Sequence, residues 1–353
     1  MIDYEENLED DEQEEKEFVA TYNLSSYGID FDVSGLVRRM NAGSIYLPDF
    51  QRNYVWNKAG ASRFIESLLL GLPIPSVCLH KEEDNKQIII DGFQRLETIR
   101  SFYRKEFPNG EKFKLCGVNP LYNDKFIDEL DEESRLKLDD TLIHATVVKA
   151  DDPQEKNYNA VYLIFERLNT GGVKLTPQEI RACIYHGPFQ EILKKLSENE
   201  FYTSYFGISD KRKKNQEVIL RLLSLCCNYK NYFGNMKQFL NDFMNTNKAK
   251  TEEDLSDVIN IFENSLKIIS TLGDKTFKPK GILNLAILDA IFVGTYNRLS
   301  RYSVVNEKTY KEKINELINN QVFLRNIETG KTHHTNPLKE RIDLAISYIN
   351  EVK

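Results

Sequence analysis

The residues best suited to chemistry lie in the stretch IIIDGFQRLETI, residues 88–99. A run of isoleucines is followed within five residues by the carboxylate of Asp91, the flexible backbone of Gly92, the amide of Gln94 and the guanidinium of Arg95. An apolar run of this length that ends in Asp-Gly is typical of a buried strand, and the residues after it show helical spacing. These four residues therefore lie at a predicted strand-to-helix junction.

A helix that starts directly after a strand presents backbone N–H groups without intrahelical partners, and its dipole adds partial positive charge there. Such a helix start binds anions, and phosphate is the usual one. Gly92 would let a ligand approach the backbone, and Arg95 could donate two hydrogen bonds to phosphate oxygens. Asp91 could bind a metal or position a water molecule. Gln94 could orient that water or contact a base or ribose.

A purely structural role is open for the same residues. Asp91 could cap the helix, and Arg95 could form an ion pair with Glu97 or another surface acid. The chain contains no G-x-x-x-x-G-K-[ST] sequence, so a Walker-type phosphate loop is excluded. Spacing alone therefore leaves two interpretations, a phosphate site or a capped helix start.

The elements that must position this junction form a mixed pattern in the first part of the chain. Residues 58–70 show one apolar face at helical spacing and end at Gly71 and Pro73, which stop helices. The other predicted elements are helices over 31–42 and 95–106, an extended segment over 44–56, strands over 74–80, 87–92, 111–117 and 143–149, and a charged helical insertion near 124–140.

Beyond about residue 154, apolar residues recur every three or four positions, and Gly and Pro become sparse. This pattern predicts helices over 157–168, 177–186, 189–198, 215–229, 255–271, 282–299, 307–319 and 337–350. The predicted fold class is therefore α+β, with a mixed α/β N-terminal part followed by an all-helical C-terminal part. We place an acidic tail at 1–20, the α/β part at 21–152 and the helical part at 153–353.

The composition is that of a cytosolic globular protein, with 41% hydrophobic and 29% charged residues in a chain of 353. No apolar run approaches the roughly 18 residues needed to span a bilayer, and the first residues do not have the pattern of a signal peptide. The five cysteines form no C-x-x-C pair. We therefore expect a cytoplasmic protein with reduced core thiols, no zinc site and no membrane contact.

Negative charge is concentrated at the start of the chain. Residues 3–17 hold ten acids and one lysine, a net charge of −9, whereas the whole chain carries −7. The rest of the chain therefore carries +2, because −7 less −9 is +2. We expect this tail to be disordered. It would act either as a solubilising leader or as a nucleic-acid mimic that shields a basic groove.

Two segments together closely resemble the N-terminal domain family of GmrSD-type restriction systems. They are LPDFQRNYVWN at 47–57, with the family's Q-R-x-[YF]-x-W pattern, and IIIDGFQRLETI at 88–99, with its D-G-Q-Q-R-L-x-T box. Further matches are IFERLNTGGVKLTPQEIRACIYHGPF at 164–189, QEVILRLLSL at 216–225 and KERIDLAISYI at 339–349. The resemblance thus covers nearly the whole chain beyond the tail.

The resemblance implies a ParB/sulfiredoxin-like fold that binds a nucleoside triphosphate, which some members hydrolyse. Many members take part in prokaryotic defence against phage or modified DNA. The residues that the resemblance places at the phosphates, or beside them, are Asp91, Gly92, Gln94, Arg95, Gln51 and Arg52.

Hydrolysis would need further groups at the same place. Mg2+ would bridge the phosphates and Asp91, and Asp91 or Gln94 would position the attacking water. The first glutamine of the family's box is Phe93 here, and an aromatic ring cannot orient water. Phosphate binding through Arg95 is compatible with this change, whereas hydrolysis is placed in doubt.

Two further segments have two interpretations each. In the turn after the helix at 157–168, Asn169 could reach back to the nucleotide, or the turn could be only a conformational corner, followed by a capping box that begins at Thr176. The basic run DKRKKNQ at 210–216 could be a solvated face or could contact DNA phosphates.

The pattern of histidines excludes one activity. Many relatives carry an appended HNH nuclease, but no matching His-Asn-His spacing follows residue 230. The chain is therefore predicted not to cut DNA by itself. The favoured function is a nucleotide-binding component of a defence system that couples nucleotide state to DNA or partner binding. The alternatives are a non-catalytic nucleotide-gated adaptor for a separate effector protein and a scaffold without nucleotide, and a homodimer stays open.

Overall fold

The computed structural model describes residues 24–47, 54–82, 84–150, 158–168, 175–206, 212–279, 281–302, 306–328, 332 and 334–352. The chain divides into an α/β unit that ends at Leu175 and a helical unit that begins at Thr176. The sequence had placed this boundary near residue 152. The helix after that point, Tyr158–Leu168, packs on two strands of the sheet, which is why it falls in the first unit.

The α/β unit is built on one mixed sheet of five strands in the order β1-β5-β3-β4-β2. The strands are β1 (Leu24–Asp32), β2 (Ile45–Tyr46), β3 (Val77–Lys81), β4 (Gln87–Asp91) and β5 (Leu142–Ala150). β1 is antiparallel to β5 and β3 to β4, whereas β5 with β3 and β4 with β2 are parallel pairs. The carboxyl end of β4 therefore lies at the same end of the sheet as the starts of β3 and β5.

The helices of this unit are α1 (Val33–Asn41), α2 (Lys58–Leu70), α3 (Phe93–Arg104), α4 (Glu132–Asp140) and α5 (Tyr158–Leu168), with one 3-10 turn at Ile127–Glu129. The apolar faces of α1, α2 and α3 share one core with strands β3, β4 and β5. Fully buried members of this core are Leu36, Ile65, Leu79, Ile99 and Ala145. The junction at the start of α3 thus rests on a packed core.

The helices of the helical unit are α6 (Pro177–Ile184), α7 (Pro188–Ser197), α8 (Glu200–Phe206), α9 (Lys214–Asn228), α10 (Met236–Asn247), α11 (Ser256–Ile269), α12 (Asp274–Phe277), α13 (Leu285–Leu299), α14 (Glu307–Ile318), α15 (Gln321–Asn326) and α16 (Thr335–Asn350), with a 3-10 turn at Tyr229–Asn231. α13 lies at the centre, where it packs against α9, α11 and α16. Most of its residues are buried.

Charged side chains are buried in the helical unit, and three of them are arginines from the segments at 164–189, 216–225 and 339–349 that resemble the family pattern. Arg221 on α9 donates to both carboxylate oxygens of Asp289 on α13 at 2.9 to 3.1 Å, and Arg341 on α16 donates to the same carboxylate at 3.4 Å. Arg181 pairs with Glu217 at 2.7 Å. The three arginine side chains are at most 3% exposed. These motif arginines therefore join helices inside the unit.

The predicted α+β class is confirmed, with a mixed α/β part and an all-helical part. Residues 111–117 do not form the predicted strand. The N–H of Phe113 donates to the carbonyl of Lys105 and that of Leu115 to the carbonyl of Lys125, so the two hydrogen bonds go to separate segments and not to one neighbouring strand. Strand β1 and helices α8, α10, α12 and α15 were not predicted.

The five cysteines are all free thiols. Cys78 and Cys183 are buried, as expected, but Cys227 is exposed and is not a core residue. Among the described residues, no helix combines the length and the apolar character that crossing a membrane requires.

Candidate functional site

The predicted strand-to-helix junction is present. β4 ends at Asp91, α3 begins at Phe93, and Gly92 lies between them with a φ of 96°. No side chain of the described residues caps the start of α3, so Asp91 does not take the capping role. The first N–H groups of α3 consequently have no partners within the helix.

Gly92 is required by packing as well as by its conformation. A Cβ at this position would lie 2.5 Å from Cγ1 of Val77 and 3.3 Å from Nη2 of Arg95. Val77 is only 1% exposed and belongs to the core, which limits how far it could move. The glycine therefore lets α3 lie against the first residue of β3, and by itself it does not indicate a ligand.

The guanidinium of Arg95 is engaged within the fold. Its Nη1 donates to the carbonyl oxygens of Pro75 and Ser76, the latter at 3.0 Å, and its Nη2 donates to Oδ2 of Asp91 at 2.7 Å. The side chain is 14% exposed, and the alternative ion pair with Glu97 is not formed. Three of the five N–H donors are thus used, and two remain for another acceptor. Arg95 therefore holds the start of β3 to the end of β4, a role that the motif did not reveal.

Gln94 joins the two motif segments. Its Oε1 accepts hydrogen bonds from the backbone N–H groups of Val55 at 3.0 Å and Trp56 at 3.4 Å. The hydroxyls of Tyr54 and Thr98 lie 2.7 Å apart, and Thr98 donates to the carbonyl of Gln94 at 2.7 Å. The end of the first motif is thus bonded to the first turns of α3.

The aromatic residues of the two motifs pack inward. Phe93 and Tyr54 are half-buried against the core of the unit. The ring of Tyr54 lies 5.6 Å from that of Phe107, and the ring of Trp56 lies 5.5 Å from that of Phe64, both between centroids. Phe93 therefore fills space beside the core at the position where the family pattern has a glutamine.

Asp91 is the carboxylate of the junction and is 37% exposed. Within the described residues only its Oδ2 accepts a hydrogen bond. Burial, together with this carboxylate, raises the pKa of the Cys78 thiol in β3 to about 11. The described residues contain no group of three or more His, Cys, Asp or Glu that could hold a metal. A Mg2+ ion at Asp91 would therefore take its other ligands from phosphate and water, as Mg2+ usually does.

Three predicted site residues, Gln51, Arg52 and Asn169, lie outside the described residues. The structure brings Asp91, Gly92, Gln94 and Arg95 together at one junction. The residues that the sequence did not single out are Tyr54 and Thr98, together with the carbonyl groups of Pro75 and Ser76. A Thr at the last position of the family's box was the available signal for Thr98.

The predicted capping box in the helical unit is confirmed. The N–H of Thr176 donates to Glu179 at 2.7 Å, and the N–H of Glu179 donates to Oγ1 of Thr176 at 3.2 Å, with Pro177 in the first turn of α6. In the basic run, Arg212 pairs with the same Glu179 at 3.2 Å. This part of the run therefore stabilises the unit, rather than forming only a solvated face.

Comparison with known proteins shows what the part of the chain around the junction is similar to. Residues 33–186 match a model for a domain of restriction enzymes, described as "GmrSD restriction endonuclease, N-terminal domain". This segment contains the junction, and the match agrees with the resemblance carried by the two motif segments.

Among solved structures, a Pnob8-like ParB-N domain in its C2221 form matches with 15% identity over 93% of this chain and 100% of that chain. The TM-score is 0.23, which is too low to support any structural inference. No curated protein matches the chain.

Proposed function

We propose that the α/β unit binds a nucleoside triphosphate at the start of α3, as a component of a prokaryotic restriction-type defence system. In this proposal the nucleotide state controls binding of DNA or of a partner protein. The observation that carries the proposal is the bonding of Gln94 to the backbone of Val55 and Trp56. Gln94 and Val55 are 39 positions apart, and their bond brings the two motif segments to one uncapped helix start.

Several groups would meet the phosphates there. The N–H groups of the first turn and the positive end of the α3 dipole attract anions, and Arg95 keeps two N–H donors. Arg52 lies three positions before Val55 in the sequence, and we propose it as a further phosphate contact because the resemblance places it beside the phosphates. The full proposed set of ligand contacts is Gly92, Gln94, Arg95, Gln51, Arg52 and Asn169.

Asp91 would hold Mg2+ through the oxygen that Arg95 does not use. When bound, the metal would supply positive charge to the phosphates. The exposure of Asp91, and the finding that no three or more His, Cys, Asp or Glu of the described residues group together to hold a metal, both fit an ion whose other ligands are phosphate oxygens and water.

A nucleotide-gated adaptor that does not hydrolyse its ligand is the second candidate, and two contacts favour it. The oxygen of Gln94 that would orient an attacking water accepts two backbone hydrogen bonds instead. Phe93, which replaces the other amide of the box, packs against the core. Of the proposed catalytic residues, Asp91 is then left to position water.

A thermal-shift panel with ATP, GTP, CTP and UTP, each with Mg2+, tests nucleotide binding. A ligand that binds only the folded state at 100 times its Kd adds about 2.7 kcal/mol of stability, so the Tm should rise with at least one nucleotide. Arg52→Gln should abolish this rise, whereas Lys112→Gln, at a 72% exposed side chain, should not. Arg95→Ala is a poor test because it also breaks three contacts of the fold.

The same samples separate the two candidates. Release of inorganic phosphate that is lost in Asp91→Asn would identify a hydrolysing switch. A rise in Tm without phosphate release would identify the adaptor. If no nucleotide at millimolar concentration raises the Tm, the proposal of a nucleotide site is wrong.

A further inference from the structure

Arginines on α1 and α3 form a cluster that takes no part in the junction. Arg38 and Arg39 lie in the last turn of α1, and Arg100 and Arg104 lie on successive turns of α3. Nε of Arg100 and Nη2 of Arg104 both donate to Oδ1 of Asn41, at 3.2 and 3.1 Å. Arg38 precedes Asn41 by three residues and so lies on the same side of α1. These four arginines and Asn41 are called the arginine cluster below.

The positive charge of the arginine cluster is only partly compensated. The buried Glu97 pairs with Arg100 at 3.4 Å, and the charge of Arg38 acts on the nearby Asp32. In the part of the chain that the structure describes, no acid lies within ion-pair distance of Arg39 or Arg104. Four arginines and two acids leave an excess of two positive charges on this surface.

Helix stability accounts for three of the four arginines in the arginine cluster. Positive side chains near the C-terminus of a helix interact favourably with its dipole, which explains Arg38 and Arg39 in the last turn of α1 and Arg104 in the last turn of α3. It does not explain Arg100, nor why the like charges of Arg100 and Arg104 are held together on one neutral amide oxygen. Such an arrangement is unfavourable unless an anion approaches, because like charges a few ångströms apart repel.

The chemistry of the surroundings indicates the kind of anion. Arg38, Arg39, Arg104 and Asn41 are exposed, and the guanidinium fork suits phosphate oxygens. None of the large exposed hydrophobic side chains among the described residues belongs to α1 or α3. A protein partner would need such an apolar anchor, and a single strand would need exposed aromatic rings for its bases. A duplex needs only its phosphates to be contacted.

We propose that the arginine cluster binds the phosphate backbone of double-stranded DNA. The proposed function does not say which surface contacts DNA. The arginine cluster is a different surface from the basic run at 210–216, which the sequence suggested as a DNA contact. The proposal concerns binding without regard to sequence, because every contact is to phosphate. It does not depend on nucleotide, so its test is done in the absence of NTP.

The test is fluorescence anisotropy of a labelled DNA duplex, titrated with the full chain at several salt concentrations. Arg38→Gln/Arg104→Gln removes two phosphate contacts, so the slope of log K against log salt should become shallower by about 2. We expect the affinity at low salt to fall about tenfold or more. Lys267→Gln/Lys308→Gln, at exposed positions of α11 and α14, removes the same charge and should bind like the wild type.

Several results would overturn the proposal. One is an affinity of Arg38→Gln/Arg104→Gln for the duplex that equals the wild-type affinity, and another is an equal loss of affinity in the lysine control. The others are an absence of duplex binding at low salt and tighter binding of single-stranded DNA or RNA than of the duplex. Arg104→Lys keeps the positive charge but loses the paired N–H donors of the guanidinium. If the double variant does not fold, an affinity of Arg104→Lys below that of the wild type would support the proposal. The nucleotide-dependent rise in Tm should be unchanged in all these variants, so failure here is distinct from failure of the nucleotide site.

Discussion

Replacing Gly92 with alanine tests how the junction at the start of α3 is built. Gly92 has a φ of 96°, and a left-handed backbone costs a residue with a Cβ about 1–2 kcal/mol. The new Cβ would also lie 2.5 Å from Cγ1 of the buried Val77, and overpacking of this kind costs about 1–3 kcal/mol. We therefore expect Gly92→Ala to lower the free energy of unfolding by about 2–5 kcal/mol.

A double-mutant cycle separates the two contributions. Val77→Ala removes Cγ1 and leaves its own Cβ 3.0 Å from the new methyl group, a tight contact without the severe overlap. Alone it should cost about 1–3 kcal/mol through the lost packing. In that background Gly92→Ala should cost only the backbone part, so the coupling energy should be about 1–3 kcal/mol.

The measurement is urea denaturation followed by the fluorescence of Trp56. This is the only tryptophan of the chain, and it packs on Phe64 within the same unit. Its signal therefore reports on the unfolding of the α/β unit. Equal costs of Gly92→Ala in the two backgrounds would show that the contact with Val77 does not exist. A cost below about 0.5 kcal/mol in wild type would refute the left-handed conformation as well.

Three other perturbations have defined outcomes. Asp289→Asn removes the charge that pairs with two buried arginines and should cost about 3–5 kcal/mol in denaturant unfolding followed by circular dichroism. Glu252→Gln, in an exposed pair, should cost under about 1 kcal/mol. A hydrogen bond from Ser34, and a second one from Gly35, hold the pKa of Asp32 below its usual value. The charged carboxylate therefore stabilises the fold above about pH 4, and this stabilisation is lost as the pH falls further. Asp32→Asn keeps the cap without titrating, and its urea midpoint should fall less between about pH 5 and 3; parallel curves would contradict this. Removing residues 1–20 should strengthen duplex DNA binding at low salt if the acidic tail mimics nucleic acid, and unchanged anisotropy would leave the solubilising role.

Elements with local signals were predictable from the sequence. Asn57 caps α2 by accepting a hydrogen bond from the N–H of Gly60, and Gly71 ends the helix in a left-handed conformation. These signals lie within the helix and its flanks, so no distant contact is needed to interpret them. By contrast, LSSYGIDFD at Leu24–Asp32 alternates between apolar and other residues only in its second half, from Tyr27 to Asp32, whereas its pairing with β5 extends over all nine residues.

At the junction, the position of the functional groups was predictable but their partners were not. The motif placed Asp91, Gly92, Gln94 and Arg95 between a strand and a helix, and that is where they lie. Two of the three acceptors of Arg95 are backbone carbonyls that precede β3, and backbone groups carry no signal in the sequence. The bond from Gln94 to Val55 spans 39 positions, so only the tertiary fold reveals it.

The pairing of β1 with β5 has a consequence for synthesis of the chain. β1 is the first described strand to leave the ribosome, yet its hydrogen-bonding partner follows over a hundred residues later, since Asp32 pairs with Leu142. Loop closure over such a separation is slow compared with local helix formation. The segment of β1 in the emerging chain therefore has no partner strand until β5 has been synthesised, and an unpaired strand edge is prone to aggregation during that interval.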